Sequence, residues 1–319
     1  MAGLFTRLVR PPRPPHAFVL TRERLVYVRR EARIKADASL TGGSPYTVLA
    51  RNLPEGALVL NGGGVPSAGA PLARVVAELL NEAGGRVPAA SLVIPDSFVH
   101  VLAVDLPEPE KNVKETVEVL EWKLGKTFGD PPPPVRLAWQ TAGSGTSGTR
   151  VVAIAAPEEA AASWENAFAP LRIGALETAS LAISNLGRRI VQGNGFLLWA
   201  DGETATTLFL KNGDLRFVRT KTTSDPDEAL QEIRLAASFV ANEGLRAGAE
   251  PPALDVEGLC AAGPWGSPVI ERFRAFRAEA GGRDPQPLTR ATLLAEAAAP
   301  KKADDDPAVL AGLCALTAD

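Results

Sequence analysis

Between residues 17 and 30 the chain reads AFVLTRERLVYVRR, two apolar runs around a short polar bend, which predicts a tight strand-turn-strand. TVLARNL and ALVL continue the strand pattern. PLARVVAELLNEAGG (71–85) then changes period: Leu72, Val75, Val76, Leu79 and Leu80 fall on one face of a helix that glycines end. SLVIPDSFVHVLAVDLP (91–107) reads as two strands joined at Pro95-Asp96. KNVKETVEVLEWKLGKTF (111–128) predicts a helix with Val113, Val117, Leu120 and Leu124 as its apolar stripe. VRLAWQT and RVVAIAAP are strands joined through GSGTSG (143–148), whose composition predicts a flexible loop.

The second half repeats the alternation. EEAAASWENAF (158–168) is a helix, LRIGALE a strand, and TASLAISNLGRRI a helix with Thr178 or Ser180 near its cap. FLLWA, TTLFL and LRFVRT form a meander, with Asn212-Gly213-Asp214 as a hairpin turn. A long helix (225–244), a strand in PALDVEGLCAAG and a helix in SPVIERFRAFRAEAGG follow. After a linker (297–306) comes a last helix, DPAVLAGLCALTAD, with Asp306 as N-cap and Pro307 at its first position. The class is α/β. A mixed sheet near the start and another near residue 195, each followed by helices, predict two related lobes with a strand-helix-strand-strand insert. The expected divisions are a basic tail (1–16), the first lobe (17–90 and 157–190), the insert (91–156) and the second lobe (191–319).

Composition narrows the function. A chain of 319 residues with 45% apolar content buries an ordinary core, and its net charge of −3 argues against a basic nucleic-acid groove. Cys260 and Cys314 are the only cysteines and lie far apart, which suits a reduced compartment and makes no CxxC metal site. His16 and His100 are the only histidines, so a His-rich metal centre is excluded, and no acidic or cysteine constellation marks His100 as a base. No apolar run reaches the length of a membrane span. MAGLFTRLVRPPRPP reads either as a weak amphipathic membrane contact or as a basic tail, and its prolines favour the tail. GGG at 62–64 lacks the GK[ST] of a phosphate loop. Glu158-Glu159 and Asp225/Asp227 sit near predicted helix starts, where the helix dipole explains them, and Asp304–Asp306 belong to a solvated run.

The order of these pieces resembles the PilM family, cytoplasmic actin-like proteins of the type IV pilus assembly platform and relatives of FtsA. The resembling stretches are LPEGALVLNGGGV, SLVIPDSFVHVLAVDLP, EWKLGKTF, VVAIAAPEEAAASWENAF, ALETASLAISNL, GETATTLFLKNGDLRFVRT and DPAVLAGLCAL, which run in family order over about 17–316. The resemblance implies a two-lobed actin-like fold of ribonuclease-H-like repeats, with 91–156 as the small subdomain. It also implies a cleft in which two hairpin loops bind the phosphates of Mg-ATP. The first loop, DIGSSSVK-like in the family, reads VLTRERLV here: Val19 stands at the Asp, Thr21 at the Gly, and Arg22, Glu23 and Arg24 replace small residues. Close approach to a phosphate favours glycine, and Glu23 adds a negative charge beside an anion. In the second loop, DIGxxxT-like, Gly202 and Thr206 match, with Thr207 beside them. Ala200 takes the carboxylate position, and Asp201 falls on the opposite face of the strand unless a bulge turns it back. The adenosine-side loop keeps Gly263 and Gly266 around Pro264 and Trp265.

Carried through, the resemblance implies a pseudo-ATPase without ATP or Mg²⁺ as working cofactors. Gly202, Thr206, Thr207, Gly263 and Gly266 are then the vestige of a nucleotide site. The expected role is a scaffold of the pilus inner-membrane platform, cytoplasmic and peripheral to the membrane. Its expected partner is a PilN-like bitopic protein, whose N-terminal peptide lies beside the insert, and other platform proteins would also contact it. Val93, Lys114, Glu118, Glu121 and Trp139 are the candidate partner residues. The alternatives are an active actin-like ATPase, a sugar-kinase-like enzyme with a general-base Asp that cannot be assigned here, or an FtsA-like divisome adaptor. The terminal DPAVLAGLCALTAD lacks the basic residues of an FtsA-type membrane helix.

Overall fold

In the computed structural model the apolar runs at the start become β1 (His16–Leu20) and β2 (Arg24–Arg30), joined by the tight turn the pattern predicts. The structure describes residues 14–30, 46–60, 65–84, 87–128, 133–145, 148–169, 171–190, 194–201, 204–223, 225–246, 259–262, 266–277, 286–287 and 307–317. β3 (Tyr46–Asn52) follows, then a small hairpin of β4 (Leu58–Leu60) and β5 (Pro66–Ala68). Helix α1 (Ala70–Ala83) buries Leu72, Val75, Val76 and Leu79, the predicted stripe. β6 (Ala89–Ile94) leads through a 3-10 turn at Asp96–Phe98 into β7 (His100–Leu106). Next come α2 (Val113–Gly125), β8 (Val135–Ser144), β9 (Thr149–Pro157), α3 (Glu158–Ala167), β10 (Arg172–Thr178) and α4 (Ala179–Ile190). The second half holds β11 (Asn194–Ala200), β12 (Thr204–Lys211), β13 (Asp214–Thr222), α5 (Pro226–Arg246), β14 (Leu259–Ala262), α6 (Gly266–Arg277), β15 (Gln286–Pro287) and α7 (Pro307–Thr317).

The two main sheets share one topology. The first runs β10-β6-β1-β2-β3 and the second β13-β12-β11-β14-β15. In each, an antiparallel meander of three strands is extended by two parallel strands beside its first strand. Numbered within its own lobe, each sheet reads 3-2-1-4-5, so the related lobes expected from the sequence are visible as a topological repeat. The layers follow from strand parity. Phe18, Leu20, Leu25 and Tyr27 face α1 and α3 on the outside of the first sheet. Val19, Val26, Val28, Leu197, Trp199, Leu208 and Leu210 face a central core that also holds Ala182 and Ile183 of α4 and Ala308, Ala311 and Ala315 of α7. Phe196, Leu198, Ala205 and Phe209 meet α5 and α6 on the far side.

β7, β8 and β9 form a separate three-stranded sheet, order β7-β9-β8, covered on one face by Leu120 and Leu124 of α2. The insert therefore starts at His100 and not at residue 91: β6 is paired in parallel with β1 and with β10, inside the first sheet. The stripe of α2 is also rotated from the expected one. Val113 is exposed, and Thr116 is buried in its stead, its hydroxyl donating to the Pro109 carbonyl at 3.2 Å. The other face of the insert sheet, with Val101, Ala103, Ala142 and Val152, joins the central core beside Leu215 and Val218 of β13.

Two local signals resolve cleanly. Asn212 and Gly213 both have positive φ, 53° and 82°, as a two-residue hairpin turn requires. Between Thr178 and Ser180, Thr178 is the cap of α4, its hydroxyl accepting the Leu181 amide at 3.3 Å. Across the GSGTSG stretch the Gly145 amide donates to the Gly148 carbonyl at 2.7 Å, while residues 146–147 lie outside the described residues. The expected tail, the GGG at 62–64, the linker and the Asp306 cap lie in whole or in large part outside the described residues.

Candidate functional site

The β1–β2 and β11–β12 turns point into one cleft between the lobes. Its walls include Val19, Thr21, Arg22, Glu23 and Arg24 from the first hairpin, Trp199 and Asp201 from the second, and Ala179 and Ala308 at the starts of α4 and α7, around about 370 Å³. Both turns close the same way. The Thr21 amide donates to the Arg24 carbonyl at 2.9 Å, and the Thr21 hydroxyl accepts the Arg24 amide at 3.0 Å and the Glu23 amide at 3.3 Å. In the second lobe the Asp201 amide donates to the Thr204 carbonyl at 3.1 Å, and Asp201 Oδ1 accepts the Thr204 amide at 2.8 Å and its hydroxyl at 3.0 Å.

This arrangement bears on nucleotide binding. A phosphate-binding hairpin offers unspent backbone N–H groups to the anion. Here Thr21 takes the Glu23 and Arg24 amides of the first turn and Asp201 takes the Thr204 amide of the second, and Arg22 and Glu23 bring bulk and opposed charge to the rim of the first. These residues do not fit a triphosphate in the manner of a glycine-and-serine loop. Thr206, the family hydroxyl, is fully buried and shares a 2.9 Å hydrogen bond with Thr220 on the neighbouring strand. Thr207 faces away from the cleft, its hydroxyl buried beneath α5 and α6, so it leaves the candidate list. Gly266 begins α6, while Gly202, Gly263 and Trp265 fall outside the described residues.

Asp201 departs from expectation in the opposite sense. It lines the cleft with Trp199, while Ala200 turns to the outer core. No bulge is needed: β11 pairs with β12 regularly up to Ala200 opposite Ala205, and parity alone puts residues 199 and 201 on the cleft side.

A second carboxylate, overlooked in the sequence, belongs to the same site. Asp96 sits on the 3-10 turn after β6 with none of its surface exposed. Its Oδ2 accepts the Ser180 amide at 3.1 Å, and its Oδ1 takes the Ser180 hydroxyl in a short contact. Burial pushes its carboxyl up to about 6. The Ser180 and Thr178 hydrogen bonds oppose that rise, and the charge of Asp201 adds to it. The signal in the sequence was only a Pro-Asp between two apolar strands. His100 is a packing residue, its ring edge-on to Phe128 at 4.4 Å and its pKa lowered by burial. Among the described residues no cluster of His, Cys, Asp and Glu is suited to a metal, and no helix is long and apolar enough to cross a membrane.

A groove lies where the insert meets both lobes. It is lined by Ala138, Trp139 and Gln140 of β8, Leu176 and Glu177 of β10, Leu181 and Ser184 of α4 and Leu215 of β13, with a volume of about 160 Å³. β8, β10 and β13 are each the outermost strand of their sheet, so three sheet edges converge here. Of the expected partner residues only Trp139 reaches the groove. Val93 is fully buried in the middle of the first sheet and offers no partner surface. Lys114 and Glu118 form an exposed ion pair at 3.8 Å on α2, and Glu121 is exposed on the same helix, which covers the opposite face of the insert sheet.

No family model matches the sequence. Nor does any curated protein. Among solved structures, the chain is similar to one in a PilM–PilN type IV pilus biogenesis complex: TM-score 0.63 at 18% identity, covering 96% of this chain and 99% of that one. The cytoplasmic domain of EpsL, an inner-membrane component of the type II secretion system of Vibrio cholerae, aligns at TM-score 0.46 and 12% identity, over 95% of each chain. A Bacteroides thetaiotaomicron protein with an actin-like ATPase fold and unknown function aligns at 0.45 and 8% identity, over 89% of this chain and 95% of that one. With its duplicated sheets and central helices, the chain has the two-lobed actin-like fold of PilM.

Proposed function

We propose that this protein is a cytoplasmic scaffold of a type IV pilus or related secretion machine, peripheral to the inner membrane. In this reading it holds the N-terminal peptide of a PilN-like bitopic protein and does not hydrolyse ATP. The observation that carries the reading is the groove at which the edges of three sheets meet. An extended peptide gains affinity by adding main-chain hydrogen bonds to a sheet edge and specificity by placing alternate side chains in pockets. A fold shared with a protein seen in complex with PilN supports the same choice of partner. The Glu23, Arg24 and Thr204 amides, already hydrogen-bonded to Thr21 and Asp201, support the absence of hydrolysis.

The test is a fluorescence titration of the full chain with a synthetic N-terminal peptide of a PilN-like protein from the same genome. Ala138 is exposed on the groove wall, so Ala138→Arg fills the groove without disturbing the core and should weaken binding at least tenfold. Lys114→Ala and Glu121→Ala, on the outer face of α2, should leave it unchanged. The reverse pattern would move the partner site to α2. Asp201 favours the alternative of an active ATPase, since it returns one carboxylate to the cleft. Calorimetry with Mg-ATP separates the two, and tight Mg-dependent binding with turnover would establish the enzyme.

A further inference from the structure

The cleft and the groove are joined by one short stretch of chain. Thr178 ends β10 and Ala179 begins α4. On one side of this junction Ala179 lines the cleft and Ser180 binds Asp96. On the other, Leu176, Glu177, Leu181 and Ser184 form a wall of the groove. A line of hydrogen bonds crosses from one to the other. The Ser180 hydroxyl donates to Asp96 and stands 3.2 Å from the Thr178 hydroxyl, which accepts the Leu181 amide at 3.3 Å, and the Ser184 hydroxyl donates to the Leu181 carbonyl at 2.7 Å.

We infer that Asp96 is a positioning residue for the groove: its carboxylate sets the first turn of α4 and so makes the affinity for a bound peptide depend on whether Asp96 carries a charge. This rests on the peptide reading above. An ionised Asp96 accepts from both the amide and the hydroxyl of Ser180, which leaves the Thr178 hydrogen to the Ser180 oxygen or to the Asp96 carboxylate, and the Thr178 oxygen to the Leu181 amide. It also places a negative charge at the start of α4. A proton on Asp96 makes one of its oxygens a donor, so that the Ser180 amide and the Ser180 and Thr178 hydroxyls lose one of their acceptors, and it removes the charge. The titration falls in an accessible range, because burial has raised this carboxyl to about 6.

Among the charged groups on the elements around Asp96, Glu177 precedes Thr178 on β10, is buried, and lines the groove. Asp201 faces Asp96 from the second hairpin and raises its pKa. Arg22, on the first hairpin with Glu23 and Arg24, lies 5.8 Å from the ring centre of Phe98 on the same 3-10 turn. β12 and β13 also touch that turn; on β13, Arg219 and Lys221 are ion-paired with Glu232 of α5. β6 and α7 carry no charged side chain over 89–94 and 307–317.

The experiment measures affinity for the same PilN-type peptide from pH 5 to 7.5 in the wild type, Asp96→Asn and Ser180→Ala, with folding checked by circular dichroism. The wild type should bind about fivefold more weakly at pH 5 than at pH 7.5, a coupling of ordinary size. Asp96→Asn should bind weakly at both and show a flat profile. Ser180→Ala, which keeps the amide and loses the hydroxyl, should be weakened at pH 7.5 with a shallower slope, and it carries the test if Asp96→Asn does not fold. Binding with the wild-type affinity and pH profile in the folded variants would overturn the inference and leave the peptide reading standing. A wild type that binds no peptide at any pH would overturn both.

Discussion

Thr21 and Asp201 occupy equivalent places in the two lobes. Each closes its hairpin by accepting, on a side-chain oxygen, the amide of the residue three positions on, at 3.0 Å from Arg24 and 2.8 Å from Thr204. One side chain is a hydroxyl and the other a carboxylate, yet both accept the amide three positions on, so the contact uses a side-chain oxygen and not a charge. Thr21→Val keeps the shape and removes the oxygen, leaving the Glu23 and Arg24 amides without their acceptor. It should cost about 1–2 kcal/mol in urea unfolding with no change in slope, and Asp201→Ala should cost a similar amount.

Asp96 gives stability a pH dependence whose sign is fixed by its environment. Its folded-state value of about 6 lies above the ordinary 3.8, so between these two values the folded chain keeps a proton that the unfolded chain has lost. The contribution is therefore fully present below about 4 and is lost as pH rises through 6, by at most about 3 kcal/mol. Asp96→Asn has no such proton. The stability of the wild type relative to Asp96→Asn should fall between pH 4.5 and 7, and parallel curves for the two proteins would count against a raised Asp96.

Arg150 ties the insert to the second lobe. It forms a buried ion pair with Asp105, both side chains less than a tenth exposed, and its Nη1 donates to the Arg216 carbonyl on β13. Gly143, with φ of 121°, makes room nearby: a Cβ there would sit 2.5 Å from the Asp214 carboxylate. Arg150→Met should cost about 3–5 kcal/mol, since it strands the Asp105 charge in a dry interface. Most of that loss should return in the double variant Asp105→Leu/Arg150→Met, measured by chemical denaturation.

Much of the fold was legible because its signals are local. The two apolar runs at 17–30, the helix stripe at 71–85 and the Asn212-Gly213 turn each depend on residues a few positions apart. The site was legible only in part, because its relationships are distant. Asp96 and Ser180 are 84 residues apart in sequence, and nothing in PDSF announces a helix cap. Val93 reads like any strand residue, and only the pairing of β6 with β1 and β10 removes it from the insert. β15 is two residues long and leaves no pattern to read. For Asp201 the family loop suggested the wrong parity, which a turn of known length would have corrected.

Gly312 tests how tightly α7 is seated between the lobes. A Cβ at this position would stand 2.7 Å from Val28 Cγ2 and 3.0 Å from Val19 Cγ2, so the helix lies almost directly on β1 and β2. On an open helix, Gly→Ala stabilises by about 1 kcal/mol. Here overpacking opposes that gain with about 1–3 kcal/mol, and Gly312→Ala should be destabilising on balance. The nearer obstruction is one methyl group, Val28 Cγ2, and it can be removed while Val19 stays in place. Val28→Ala alone opens a small cavity and should also destabilise. In the double variant the new methyl on α7 occupies the space vacated on β2, and the combined loss should be smaller than the sum of the two single losses by at least about 0.5 kcal/mol. Simple additivity in that cycle would mean that α7 does not rest on Val28.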